Sequence, residues 1–370
     1  MSVMFEKSEI NSMRLCNRFV RSATWEGMAA EDGACTAKLT DLMTRLAQGG
    51  VGLIMTSHAF VRQDGQAGPW QLGIHKDELI DGLREMVRAV HGHGGRVVFQ
   101  LAHAGFFAYA KLIGQAPLAL SQVEGYGKSP RREMAVEDIQ DITESFCLAA
   151  RRAREAEADG VQIHAAHGYL LSQSLSPVFN RRDDAYGGSV KNRARFLLQV
   201  LRGVRAAVGP DFPVLIKMNC GDFLEGGLTF EDSLETGSML AEGGIDAIEL
   251  SGGTFVSGKL SPSRRGIKTE DKEAYFRDPA KAFKENLDVP IILVGGIRSF
   301  SLAERLVNEK VADYISMSRP LIREPDLINR WRSGDLRKAE CVSDNQCFKP
   351  AEAGEGIYCL TERKQKEKGS

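Results

Sequence analysis

The chain has 370 residues, seven of them cysteine, and its 48 Lys plus Arg nearly cancel 49 Asp plus Glu for a formal net charge of −1. That balance gives no electrostatic footprint for nucleic acid or an anionic membrane surface, so the expected partner is a small molecule. No apolar run reaches the roughly 18 residues of a membrane helix, and the opening MSVMFEKSEINSM lacks a signal-peptide core, so a cytoplasmic location is expected, with the cysteines as thiols or metal ligands rather than disulfides.

In chain order, Arg18 to Ala23 predicts a first strand and a helix follows from about Thr36 to Gln48. Val51 to Ser57 is a second strand, and Arg96 to Leu101 a third after a helix between Asp77 and His93. After a helical pattern over Glu137 to Ala158, Val161 to Ala166 forms the fourth strand. Val214 to Asn219, Ala247 to Ser251, Ile291 to Val294 and Tyr314 to Met317 complete the series, with helical patterns over Phe230 to Glu242, Asp278 to Asn286 and Ser301 to Asn308 between them. Apolar runs alternating with helices imply parallel strands covered on both faces, and eight rounds imply a closed (β/α)8 TIM barrel over residues 1–335. An open doubly wound sheet is the competing architecture; the absence of a Gly-rich turn after strand one weighs against it. Residues 336–370 form a C-terminal extension, and its Lys- and Glu-rich tail, Thr361 to Ser370, is expected to be solvated and disordered.

Such a barrel builds its site where the strands end, and polar residues cluster there: Thr24, Ser57 with His58, Gln100 with His103, His164 with His167, Lys217, Ser251, Gly295 with Gly296, and Arg319. The densest group follows strand four, where His164, His167 and Tyr169 fall within a few residues. Strand alternation sends His164 and His167 to opposite faces, so they converge only if the chain leaves extended geometry, and Gly168 gives it that freedom. From Ser189 to Gly209 a capped helix carries Phe196, Leu197, Val200, Leu201, Val204 and Val208 at helical spacing. Gly295-Gly296 after strand seven and Ser318-Arg319 after strand eight combine open backbone, a nearby helix start and a guanidinium, which points to a phosphate.

The segment HAAHGYLLSQSLSPVFNRRDDAYGGSVKNRARF closely resembles the one that identifies the Old Yellow Enzyme family of flavin-dependent ene-reductases, in the bacterial branch related to the 2,4-dienoyl-CoA reductase barrel. The resemblance spans about residues 15 to 360 and implies FMN, with NADH or NADPH as electron donor, and reduction of the C=C bond of an α,β-unsaturated carbonyl. It implies that His164 and His167 hold the carbonyl oxygen and Tyr169 protonates the neighbouring carbon. Gln100 would bond the flavin ring and Lys217 would lie near its N1 and O2, where a cation stabilises the reduced flavin. Ala23, Thr24, His58 and Ser251 join the candidate cofactor contacts. Two positions depart from the family: Ser22-Ala23-Thr24-Trp25 replaces a proline followed by a small polar or thiol residue, leaving Thr24 or Trp25 to face the ring, and His58 stands where relatives have a small residue. An enone or enoyl substrate and a homo-oligomer are expected.

Cys341, Cys347 and Cys359 resemble the cluster-binding segment of the larger relatives, which holds a four-iron cluster by four cysteines. The gap between Cys347 and Cys359 is retained, but Asp344 stands near the place of a missing cysteine, which favours a remnant over an iron–sulfur cluster or metal site. Direct reduction of FMN by a pyridine nucleotide is therefore expected. Phe106, Phe107 and Tyr109 are candidates to line the entrance, and Arg264, Arg265 and Lys268 could meet an acidic substrate or form a solvated run. Three rivals remain open: a flavin-free aldolase or isomerase with Lys217 as Schiff base, a non-catalytic FMN protein in electron transfer, and oxidative demethylation of amines or ethers.

Overall fold

Alternation of apolar strand and amphipathic helix closes on itself in the computed structural model, which describes residues 2–126 and 130–369. Eight parallel strands form a closed barrel in sequence order: β1 (Phe19–Arg21), β2 (Leu53–Phe60), β3 (Arg96–Ala102), β4 (Gly160–Ala165), β5 (Val214–Asn219), β6 (Ala247–Ser251), β7 (Ile291–Val294) and β8 (Tyr314–Met317). Helices α1 (Ala37–Gln48), α2 (Ile80–His91), α3 (Val136–Glu155), α4 (Val190–Val208), α5 (Phe230–Glu242), α6 (Arg277–Asn286) and α7 (Phe300–Asn308) follow successive strands. Three of their starts are capped by a side chain: Thr36, Ser189 and Thr229 each accept a hydrogen bond from the backbone three residues on. Among the described residues no helix is long and apolar enough to cross a membrane.

Two cores follow from the period-two alternation of the strands. The outward faces, with Phe19, Ile54, Phe99, Ile163, Ile216, Ile248, Leu293 and Ile315, pack under the helices. The inward faces supply Val20, Leu53, Met55, Val98, Leu215, Ala247, Ile292 and Tyr314, and an antiparallel hairpin, Ser8–Ile10 with Met13–Leu15, adds Ile10, Met13 and Leu15 to this cluster. The hairpin therefore plugs the barrel at the end opposite the site.

Two expectations are corrected. The second strand runs beyond Ser57 to Phe60, and the register shifts between Met55 and His58, so His58 lies within the strand rather than after it. An irregularity of this kind re-aims a side chain without ending the strand. The tail, expected to be disordered, is helical over Leu360–Gly369. Ion pairs one turn apart, Arg363 with Glu367 and Lys366 with Glu362, align its charges for a helix where composition alone suggested none.

Leu15, only 2 % exposed, tests the plug. Leu15→Ala is expected to cost about 2–5 kcal/mol in urea unfolding; a cost below about 0.5 kcal/mol would mean that the hairpin does not share the barrel core.

Candidate active site

Above the apolar inner layer the barrel interior turns polar. Lys217 Nζ donates to Ser22 Oγ at 2.6 Å and to Glu249 Oε1 at 3.1 Å. Glu249, fully buried, also accepts from Ser22, from Ser316 at 2.8 Å and, on its other oxygen, from Gln162 at 2.9 Å. Gln100 donates to Gln162 Oε1 at 2.7 Å. Lysine and its donors hold the Glu249 carboxyl below its ordinary pKa, although burial alone would raise it.

A cavity of about 630 Å³ opens over this layer. Its floor includes Ser22, Lys217 and Ser316; one end has Gly296, Ser318 and Arg319, and the other His58, His167 and Tyr169. Ala23, Thr24, Trp25 and Ser251 also line it. Thr24 and Trp25 both reach the cavity, and the Thr24 hydroxyl is engaged by the Ser22 carbonyl at 2.9 Å and by Ser318 Oγ at 2.6 Å. Gln100 lies below, spent on Gln162, and is absent from the lining; Gly295 and His164 stand behind it.

The histidines converge because the backbone turns at His167 itself, with φ of 66°, followed by Gly168 at 84°. The turn is held by Asn219, whose side-chain oxygen accepts from the His167 amide at 3.1 Å, while its amide donates to Asp222 and to the Gly253 carbonyl, each at 3.0 Å. The His164 ring centroid then lies 5.3 Å from that of His167 and 5.0 Å from that of Tyr169, edge-on to both. His167 Nε2 is 2.8 Å from Ser251 Oγ, and Tyr169 Oη is 3.2 Å from His58 Nε2. His164 Nδ1 is buried with no hydrogen-bond partner among the described residues, a condition that costs free energy unless a ligand relieves it.

Burial holds all three histidines neutral. It is the largest cause lowering His58, to about 4, and it lowers His164 and His167 well below the ordinary value, with neighbouring cations adding to the effect. Burial likewise raises the Tyr169 phenol, which stays protonated.

At the other end, Arg319 is spent partly on structure, donating to the Arg264 carbonyl at 2.8 Å and to Asn345 Oδ1 at 2.7 Å. Gly295 and Gly296 have φ of 146° and 73°, and a Cβ on Gly296 would lie 2.9 Å from the Tyr275 ring. Glu273 fixes this loop: its carboxylate accepts from the Arg298 and Ser299 amides at 2.7 and 2.9 Å and pairs with Lys338.

Several lining residues escaped the sequence reading. Phe255, beyond β6, lies 5.3 Å ring to ring from Tyr169, whereas Phe106, Phe107 and Tyr109 are not in the lining. Asn345, Phe348 and Glu352 reach the cavity from the C-terminal extension. Gln71, behind His58, was equally invisible; only the positions of strand ends could have signalled any of these, and they lie elsewhere. Arg264 is no solvated residue, since its guanidinium stacks 4.4 Å over Tyr275. Cys341, Cys347 and Cys359 border a second cavity of about 350 Å³ with Arg319, Arg323 and Asp344, and among the described residues no group of three potential ligands is arranged to hold a metal.

The family model described as NADH:flavin oxidoreductase / NADH oxidase family matches residues 3–337. The chain is 34% identical to "NADH oxidase" of Thermoanaerobacter brockii over 351 residues, which cover 92% of this chain and 52% of that protein. It is 36% identical to "NADPH dehydrogenase" of Halalkalibacterium halodurans over 282 residues, covering 75% and 78% respectively. Among solved structures, a 2-naphthoyl-CoA reductase in complex with 2-naphthoyl-CoA superposes with a TM-score of 0.89 at 26% identity, covering 96% of this chain and 56% of that one. The chain thus spans about half the length of the first and third of these relatives.

Two outcomes check this description. Glu249→Ala leaves the Lys217 charge buried and unpaired, and is expected to destabilise the protein by about 3–5 kcal/mol in urea, with Lys217→Met combined with Glu249→Leu recovering much of the loss. Because His58 and His75 bind protons near pH 4 when folded but near 6.5 when unfolded, the unfolded chain holds more protons between those values. Stability is therefore expected to fall as pH drops from about 6.5 toward 4, and a urea midpoint constant across that window would contradict their burial as neutral groups.

Proposed function

This chain belongs to the NADH:flavin oxidoreductase / NADH oxidase family, and from that premise we propose that it is an FMN-dependent ene-reductase that uses NAD(P)H to reduce the C=C bond of an α,β-unsaturated carbonyl compound. The observation that carries the reading is the packing of His164 against His167 and Tyr169, the last two of which line the cavity, with His164 Nδ1 buried and unsatisfied among the described residues.

The residues present fit FMN. The Gly296 backbone has room only because no Cβ crowds Tyr275, and with Ser318 and Arg319 it offers donors and charge for a phosphate. Lys217, fixed from below by Glu249, places a cation on the cavity floor for the ring. Held by these residues, FMN would supply hydride-transfer chemistry between a nicotinamide and the β carbon of an unsaturated substrate.

This chain's own residues do the rest. His164 and His167 act as neutral donors to the substrate oxygen, and His167 is held in place by Ser251 Oγ, 2.8 Å from its Nε2. Neutral donors stabilise charge as it develops on that oxygen without attracting every passing anion. Tyr169 delivers a proton to the α carbon, the role its raised pKa and position suit. Phe255 and Trp25 give the cavity apolar walls.

An anaerobic flavin spectrum bleached by NADPH or NADH and restored by cyclohexenone is the test. A colourless protein that FMN cannot reconstitute would overturn the reading in favour of an aldolase using Lys217. Tyr169→Phe is expected to slow reoxidation by the enone by about 10²–10⁴-fold while reduction by the nicotinamide is unchanged, measured by stopped flow; equal losses in both steps would make the tyrosine structural.

A further inference from the structure

His58 is one residue in the cavity that family resemblance does not account for, and its hydrogen bonds have fixed directions. Gln71 sits behind it. The Ala67 backbone N–H, which can only donate, faces Gln71 Oε1 at 2.7 Å. The His58 carbonyl, which can only accept, faces Gln71 Nε2 at 2.9 Å. These two backbone groups settle which way round the amide stands. The second hydrogen on Gln71 Nε2 therefore points to His58 Nδ1, 2.7 Å away, and Nδ1 must accept. The imidazole proton is then on Nε2, 3.2 Å from Tyr169 Oη, so the tyrosine oxygen accepts and its own hydroxyl hydrogen cannot be spent on His58.

We infer that His58, locked in its Nε2–H tautomer by Gln71, is a positioning residue that holds the Tyr169 oxygen and leaves the phenol proton free to be delivered into the cavity. The inference rests on the reading of Tyr169 as proton donor. The balance is simple. The Tyr169 O–H bond breaks as the α carbon–hydrogen bond forms, the phenolate left behind accepts from His58 Nε2–H, and water restores the phenol proton. His58 gives up no proton. Burial supports this assignment, since it keeps the ring neutral, as the bond from Gln71 demands. The geometry also supplies a reason for histidine here. Tyr169 is buried, its phenolate would otherwise stand in an apolar wall beside Phe255, and a hydrogen bond to a charged acceptor is stronger than one to a neutral acceptor.

Histidine ¹⁵N spectroscopy of the FMN-loaded protein tests the lock without reference to turnover. With the chain's seven histidines labelled and the His58 signals assigned by their loss in His58→Phe or His58→Asn, His58 is expected at neutral pH with a protonated Nε2 and an unprotonated Nδ1. A proton on Nδ1, alone or with Nε2, overturns the inference whatever the protein reduces. In Gln71→Leu the tautomer preference should be lost.

Stopped-flow measurement tests the consequence. His58→Phe keeps the ring volume and is expected to slow reoxidation by cyclohexenone about ten- to a hundredfold, with reduction by NADPH unchanged and with no further slowing in a Tyr169→Phe background. Equal losses in both steps, or full additivity with Tyr169→Phe, would show that His58 only shapes the cavity and would overturn the inference. A wild-type flavoprotein that ignores enones overturns the proposed function instead, and the tautomer measurement still decides whether the lock exists.

Discussion

The buried pair of Lys217 and Glu249 is the constraint on which the upper half of the barrel depends. Removing two charges from water costs several kcal/mol for each ion, and attraction alone repays this only where the remaining polar atoms are also satisfied. Here Ser22, Ser316 and Gln162 complete the carboxylate and Gln100 completes Gln162, so residues from β3, β4, β5, β6 and β8, together with Ser22 just past β1, meet in one layer. Strands cannot slip past one another without breaking that layer. Below it the interior is apolar and plugged by the N-terminal hairpin; above it lies the cavity. Lys217 can therefore face a ligand as a cation at a fixed height, because its counterion arrives from beneath and leaves the cavity side open.

A second constraint is local. His167 adopts a left-handed backbone, which for a non-glycine residue costs on the order of 1 kcal/mol or more and persists only where its surroundings impose it. Asn219 imposes it, and Asp222 and Gly253 hold Asn219 in turn. Strand β5 thus contributes twice to the site, once through the Lys217 charge and once by bending the neighbouring strand end. The bend brings two imidazoles that alternation would separate to a ring-centroid distance of 5.3 Å, with His164 Nδ1 among the buried polar atoms that have no partner in the described residues.

The chain after Asp335 packs as part of the same physical unit as the cavity. Arg319 donates to Asn345, Lys338 pairs with the Glu273 carboxylate that clamps the loop after β7, and Phe348 and Glu352 reach the lining. The loops after β7 and β8 are therefore held from outside the barrel by chain that follows its last strand. The thiols of Cys341 and Cys347 face a separate small cavity, where burial raises both pKa values, that of Cys347 to about 12, so they stay protonated.

By itself the sequence determined the barrel, because the strands are apolar runs that alternate with amphipathic helices, and those are local properties of short stretches of chain. It also pointed to strand ends as candidates for chemistry: His164, His167, Tyr169, Lys217, Gly296 and Arg319 are legible as reactive or permissive residues where apolar runs stop. What those residues do to one another was decided by the tertiary structure alone. That Gln100 bonds Gln162 and lies below the cavity, that Glu249 neutralises Lys217, and that Gln71 sets the proton of His58 all depend on atoms from different strands and loops meeting within 3.2 Å. The shift within β2 that turns His58 toward Tyr169, and the bend at His167, leave no periodic trace in the chain. Hydropathy reports which face a residue takes, whereas hydrogen-bond direction is fixed only when the partner, brought from far along the chain, is in place.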